Sequence, residues 1–81
     1  MNSILLTSFN QWIAWALADL AGLPDLPRQH FPISRRIRLE AAVASLRHAL
    51  GRANELRCSA RIALCMRTLS RIRAELRTLP A

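Results

Sequence analysis

Lysine and tyrosine are absent from this chain of 81 residues, and no basic side chain precedes Arg28. The lack of lysine is weak evidence by itself, since a GC-rich genome also yields an all-arginine basic set. The other shortages exclude more. The two glycines, Gly22 and Gly51, are too far apart to build a phosphate loop. The two cysteines, Cys58 and Cys65, are seven positions apart, about 10 Å of rise on one helix, so they cannot bridge within it. They read as small apolar core residues with free thiols, which fits a reducing cytoplasm. A metal site needs more ligands than His30 and His48 add. The first 18 residues carry no charged side chain. They still do not read as a signal peptide, because a basic leader is missing and Thr7, Ser8, Asn10 and Gln11 interrupt the apolar run. Nor do they read as a membrane span, because Asp19, Gly22 and Pro24 end the run early. No segment alternates β-branched residues as a strand would, and no nucleophile, base and acid fall into a credible set. The expectation is a cytoplasmic protein with no catalysis, cofactor or metal of its own.

What is present is lopsided. Residues 1–27 hold Asp19 and Asp25 and carry −2, while residues 28–81 hold twelve Arg against three Glu and carry +9, for a net +7. An apolar head thus precedes a strongly basic body. Such a body attracts polyanions, nucleic acid first. Apolar residues make up 52% of the chain. That is more than one small core hides, so a further buried interface is expected.

The spacing predicts an all-α fold: a single domain over 1–81, a small antiparallel bundle of three helices near 8–21, 34–51 and 55–78. In the first helix Leu5, Phe9, Trp12, Ala16 and Leu20 share a stripe, flanked by Ile13 and Leu17. Ser8 with Gln11 suggests a capping box, and Gly22 a stop. Residues 22–33 read as a proline-rich linker. Ser34 would cap the second helix, whose seam is Leu39, Val43, Leu46, Leu50 and Ala53. Gly51 offers a break and Asn54 a cap for the third helix; one continuous helix over 34–78 fits nearly as well. The third seam, Cys58, Ile62, Cys65, Leu69, Ile72, Leu76 and Leu79, keeps a strict 4-3 spacing. It is longer than the first helix can cover, so self-association is expected to complete the bundle. Trp12 and Trp15 point in different directions, so Trp15 either faces a partner or widens one large apolar face. The interface candidates are Trp12, Trp15, Ile62, Leu69, Ile72 and Leu76.

The phosphate-binding candidates are Arg28, Arg35, Arg36 and Arg38, clustered where the linker meets the second helix. Arginine forks match phosphate oxygens, and a helix start adds exposed amides. Arg67 and Arg71, away from the third seam, are the reserve. The competing reading of this basic set is a solvated face that keeps an apolar chain in solution.

The order of features resembles one family. An aromatic first helix leads to the junction LPRQH, in which Leu26, Pro27, Arg28 and His30 match an aliphatic-Pro-basic loop. An arginine-containing helix, a small-residue break (ALGRANELR) and a Leu/Arg helix (ALCMRTLSRIRAEL) follow. This is similar to the small four-helix-bundle family of the diversity-generating retroelement accessory variability protein and of the protein encoded in ribosomal-RNA intervening sequences. The resemblance implies a basic homo-oligomer, a pentamer, that binds a reverse transcriptase and its template RNA to support cDNA synthesis. The family has a fourth helix where this chain has three, so an oligomer or an abbreviated bundle would have to cover the third seam. The alternative is a protein-interaction module, such as an adaptor, chaperone or phage-type inhibitor, with no nucleic-acid role.

Overall fold

The computed structural model describes residues 3–22 and 32–79. Three helices follow in order: α1 (Ser3–Ala21), α2 (Pro32–Leu56) and α3 (Ser59–Thr78). This is the all-α bundle that the periodicity predicts, with corrected boundaries. α1 starts at Ser3, five residues before the predicted cap, because Ile4, Leu5 and Leu6 continue the helix. Ser8 therefore lies inside α1, and its hydroxyl accepts a hydrogen bond from Arg52 Nε at 3.2 Å. α2 starts at Pro32, so Ser34 lies within the helix and not at its cap. Proline fits a first turn, where its fixed φ is already helical and its missing N–H leaves nothing unpaired.

The largest correction is at the second junction. Gly51 and Asn54 are both helical, and the chain turns at Arg57 instead, which adopts φ 54. The Arg57 amide donates to Asn54 O at 3.0 Å and the Cys58 amide to Ala53 O at 3.2 Å. These paired bonds are a Schellman closure, which satisfies the last carbonyls of α2. Asn54 thus helps end α2 through its carbonyl and does not cap α3. The helix passes Gly51 because one glycine costs only about 1 kcal/mol against alanine. Cys58 becomes the N-cap of α3, with φ −103 and ψ 102. It is only half-buried, not the core residue its seam position suggests.

α2 is the central element. Both α1 and α3 pack against it, while α1 and α3 meet each other through side chains such as Phe9 and Cys65. One stripe of α2, Leu39 and Leu46 with Val43 and Leu50 beside them, joins Ala16, Leu69 and Ile72 in one core cluster. A second stripe supplies Ala49 and Ala53, which pack with Phe9 and Cys65. Alanines on the second stripe let α1 come close. This two-sided burial accounts for Ala42, Ser45 and Ala49, which a single seam does not name. The chain measures 47 × 18 × 15 Å. Its radius of gyration is 13.7 Å, against about 12 Å for a compact domain of this length. The three helices form an elongated bundle, longer than a compact domain of this length because α2 alone spans 25 residues.

Candidate nucleic-acid interface

The predicted arginine cluster is divided by the fold. Arg28 and the LPRQH junction lie outside the described residues. Arg35 stands four positions before Leu39, on the same stripe, and is buried: its Nε lies 3.3 Å from Glu75 Oε2 on α3. It ties α2 to α3 and is turned away from solvent, so it is not placed to hold phosphate as the sequence predicts. The i−4 spacing from Leu39 is the signal that places it there. Arg38 is half-buried, with its guanidinium folded over Gly22; a Cβ on that glycine would lie 2.5 Å from Nη1. α1 has no basic residue in its last turn, so Arg38 brings a positive charge to the negative end of that helix dipole. Arg36 is partly exposed.

The reserve candidates occupy the exposed face. Arg67 and Arg71 are exposed on α3, and so are Arg73 and Arg77. α3 holds five arginines and one acid, Glu75, and that acid faces Arg35. Arg67, Arg71, Arg73 and Arg77 make no ion pair among the described residues. Arg67–Arg71 and Arg73–Arg77 are like-charge i,i+4 pairs, each of which costs the helix about 0.2–0.5 kcal/mol. On α2, exposed Arg47 lines a shallow depression together with Arg73, Val43 and Leu76, with the exposed Glu40 as its one acid. The fifth arginine of α3, Arg61, turns inward: its guanidinium carbon lies 5.6 Å from the Phe9 ring centroid.

The apolar interface candidates also redistribute. Leu69 and Ile72 are buried in the core, and Ile62 and Leu76 pack against it. Within one chain Cys65, Leu69 and Ile72 of the third seam are buried, and Ile62, Leu76 and Leu79 are covered in part. What stays uncovered lies beside the seam. Between α1 and α3 a groove of about 440 Å³ is lined by Leu17, Leu20, Leu64 and Ile72, with Arg71 and Glu75 along it. Leu17 is 57% exposed and Leu64 42%. Trp12 and Trp15 do not diverge: their rings meet edge to face, with centroids 4.9 Å apart. Trp12 is half-buried and stacks on His48, with centroids 4.3 Å apart and planes 17° apart; Trp15 stays 49% exposed. No helix among the described residues is long and apolar enough to cross a membrane.

Comparison with models of known families, with curated proteins and with solved structures gives no match to this chain.

Proposed function

We propose that this protein is a non-catalytic nucleic-acid-binding accessory protein that holds the phosphate backbone on the outer face of α3. The observation that carries the reading is the exposed set Arg67, Arg71, Arg73 and Arg77, none of them paired with a carboxylate among the described residues. A helix that keeps two repulsive arginine pairs is less stable alone than with a polyanion laid along it. Backbone contacts of this kind give affinity and salt dependence with little sequence choice. The family resemblance makes template RNA and a reverse transcriptase the first partners to test, with self-association as a further element of that reading.

The test replaces Arg67, Arg71, Arg73 and Arg77 by Gln together. The parent is expected to bind a single-stranded RNA oligonucleotide with an affinity that falls steeply as salt rises. The variant should lose most of that binding and keep its helix content. Its melting temperature should rise slightly, since two like-charge pairs are gone. A parent that ignores RNA at moderate salt overturns the reading.

One observation favours a second reading. The open groove between α1 and α3 presents leucines beside an arginine, as a site for an amphipathic helix of an acidic protein partner would. Tight binding to such a partner, with no affinity for RNA, would establish it in place of the first.

A further inference from the structure

The tryptophans lie apart from the arginine face of α3, and the phosphate reading does not use them. On the outer side of α1 an open depression of about 540 Å³ is bounded by Ile4, Ser8, Gln11, Trp12 and Trp15. Holding α1 against α2 accounts for Trp12, which is half-buried and stacked on His48. It does not account for Trp15. That ring touches Trp12 edge-on at an interplanar angle of 77° and remains about half exposed. The depression therefore offers an aromatic face, the side chain of Ile4, an exposed amide at Gln11 and a hydroxyl at Ser8. A flat heteroaromatic group with a polar rim fits such a set: its face stacks on the indole and its edge meets the amide.

The surroundings narrow the ligand further. His48 completes the aromatic stack, and the residue before it in α2 is the exposed Arg47. Arg47 in turn shares its depression with Arg73 of α3. The outer surface of α2 carries Ala41, Ala44 and Gly51, all exposed and all small, and Ala44 lines the depression that holds Arg47 and Arg73. We infer that Trp15, with Trp12 and Gln11, forms a nucleobase-stacking site for single-stranded nucleic acid. This deepens the nucleic-acid reading above and rests on it. A duplex keeps its bases stacked on each other, whereas a single strand presents them to aromatic side chains.

The protein contains no other tryptophan and no tyrosine, so its intrinsic emission reports on this site alone. The experiment titrates the full chain with a single-stranded oligoribonucleotide and, separately, with an abasic oligonucleotide of equal length. The RNA is expected to quench tryptophan emission and to bind more tightly than the abasic strand. Trp15→Leu should weaken RNA binding by about ten-fold, within the range for loss of one stacked base, and leave abasic binding unchanged. Trp15→Phe should restore part of the loss. Trp15 is half exposed, so both variants should fold, and circular dichroism checks that they do. RNA binding with unchanged emission, or equal affinities for the two strands, overturns the stacking site and leaves the phosphate reading standing. Failure of both strands to bind overturns both.

Discussion

Cys58 and Cys65 differ in what surrounds their sulfur atoms. At Cys58, the N-cap of α3, the Arg61 backbone amide and then the Arg61 guanidinium favour the thiolate and lower the thiol's pKa; Nη1 lies 3.2 Å from Sγ. At Cys65 burial raises it. Cys58 should therefore be alkylated faster than Cys65 near neutral pH, and its rate should rise at a lower pH than that of a free thiol. Iodoacetamide labelling read by mass spectrometry tests this, and equal rates at the two positions would refute it. The signs of the stability effects follow. A lowered folded pKa adds stability as pH climbs through it toward the unfolded value, whereas the raised pKa of Cys65 removes stability as pH passes the unfolded value. The two effects oppose each other at alkaline pH and vanish in acid. Arg57 is the other residue whose local state is measurable. A non-glycine residue at φ 54 holds a conformation that costs about 1 kcal/mol or more. Arg57→Gly should therefore stabilise the fold by about 1 kcal/mol in urea unfolding. A loss of stability would mean that the guanidinium makes a contact worth more than the strain.

At the scale of elements, α2 decides the fold because it is buried along two stripes. Gly51 lies on its exposed side, and an added Cβ there would meet nothing within 4 Å. Gly51→Ala should accordingly stabilise α2 by about 1 kcal/mol. Unchanged thermal stability would indicate that the helix is already interrupted there. Leu46 is 2% exposed and packs into the core cluster, so Leu46→Ala should cost about 2–5 kcal/mol. Leu64→Ala should cost much less, since that side chain is 42% exposed. Equal losses in chemical denaturation would mean that another surface covers the groove in solution. The three helices and the seams of α2 and α3 were legible from spacing, because a 4-3 repeat has one geometric solution. Their ends were less legible. Caps compete, and a strong apolar continuation at Ile4–Leu6 outweighs a plausible capping box at Ser8. The turn at Arg57 had no glycine to announce it. Of the candidate site, Arg67 and Arg71 lie where the pattern put them, on the exposed face. Arg35 does not, because long charged side chains at seam positions can be buried once a carboxylate such as Glu75 stands opposite. Glu75 is distant in sequence, so the periodicity of α2 alone cannot reveal that pairing.

For the whole molecule, charge and shape act together. The net +7 is spread over an elongated three-helix bundle in which the acidic balance lies in residues 1–27. Glu75 and Glu55 are already held by Arg35 and Arg52, and the third glutamate, Glu40, shares a depression with Arg47 and Arg73, so the exposed arginines of α3 still outnumber the acids beside them and repel one another. Such repulsion destabilises the compact state and is screened by salt, whose Debye length falls from about 30 Å at 0.01 M to about 8 Å at 0.15 M. The free protein should therefore melt at a higher temperature as sodium chloride rises over that range. A single-stranded RNA ligand should act in the opposite sense. It binds the folded state and raises the melting temperature through linkage, and salt weakens that binding by displacing the counterion advantage. The melting curves with and without RNA should then converge as salt increases, the lower one climbing and the upper one falling. The quadruple Arg67, Arg71, Arg73 and Arg77 to Gln variant should show neither trend strongly, because the same four guanidinium groups drive both. If salt lowers the melting temperature of the free protein, ion pairs such as Arg35–Glu75 outweigh surface repulsion, and the basic face is not a strained surface awaiting a polyanion. If the free protein behaves as expected but RNA leaves its melting unchanged at every salt concentration, the arginines repel one another without binding nucleic acid, and the partner is a protein.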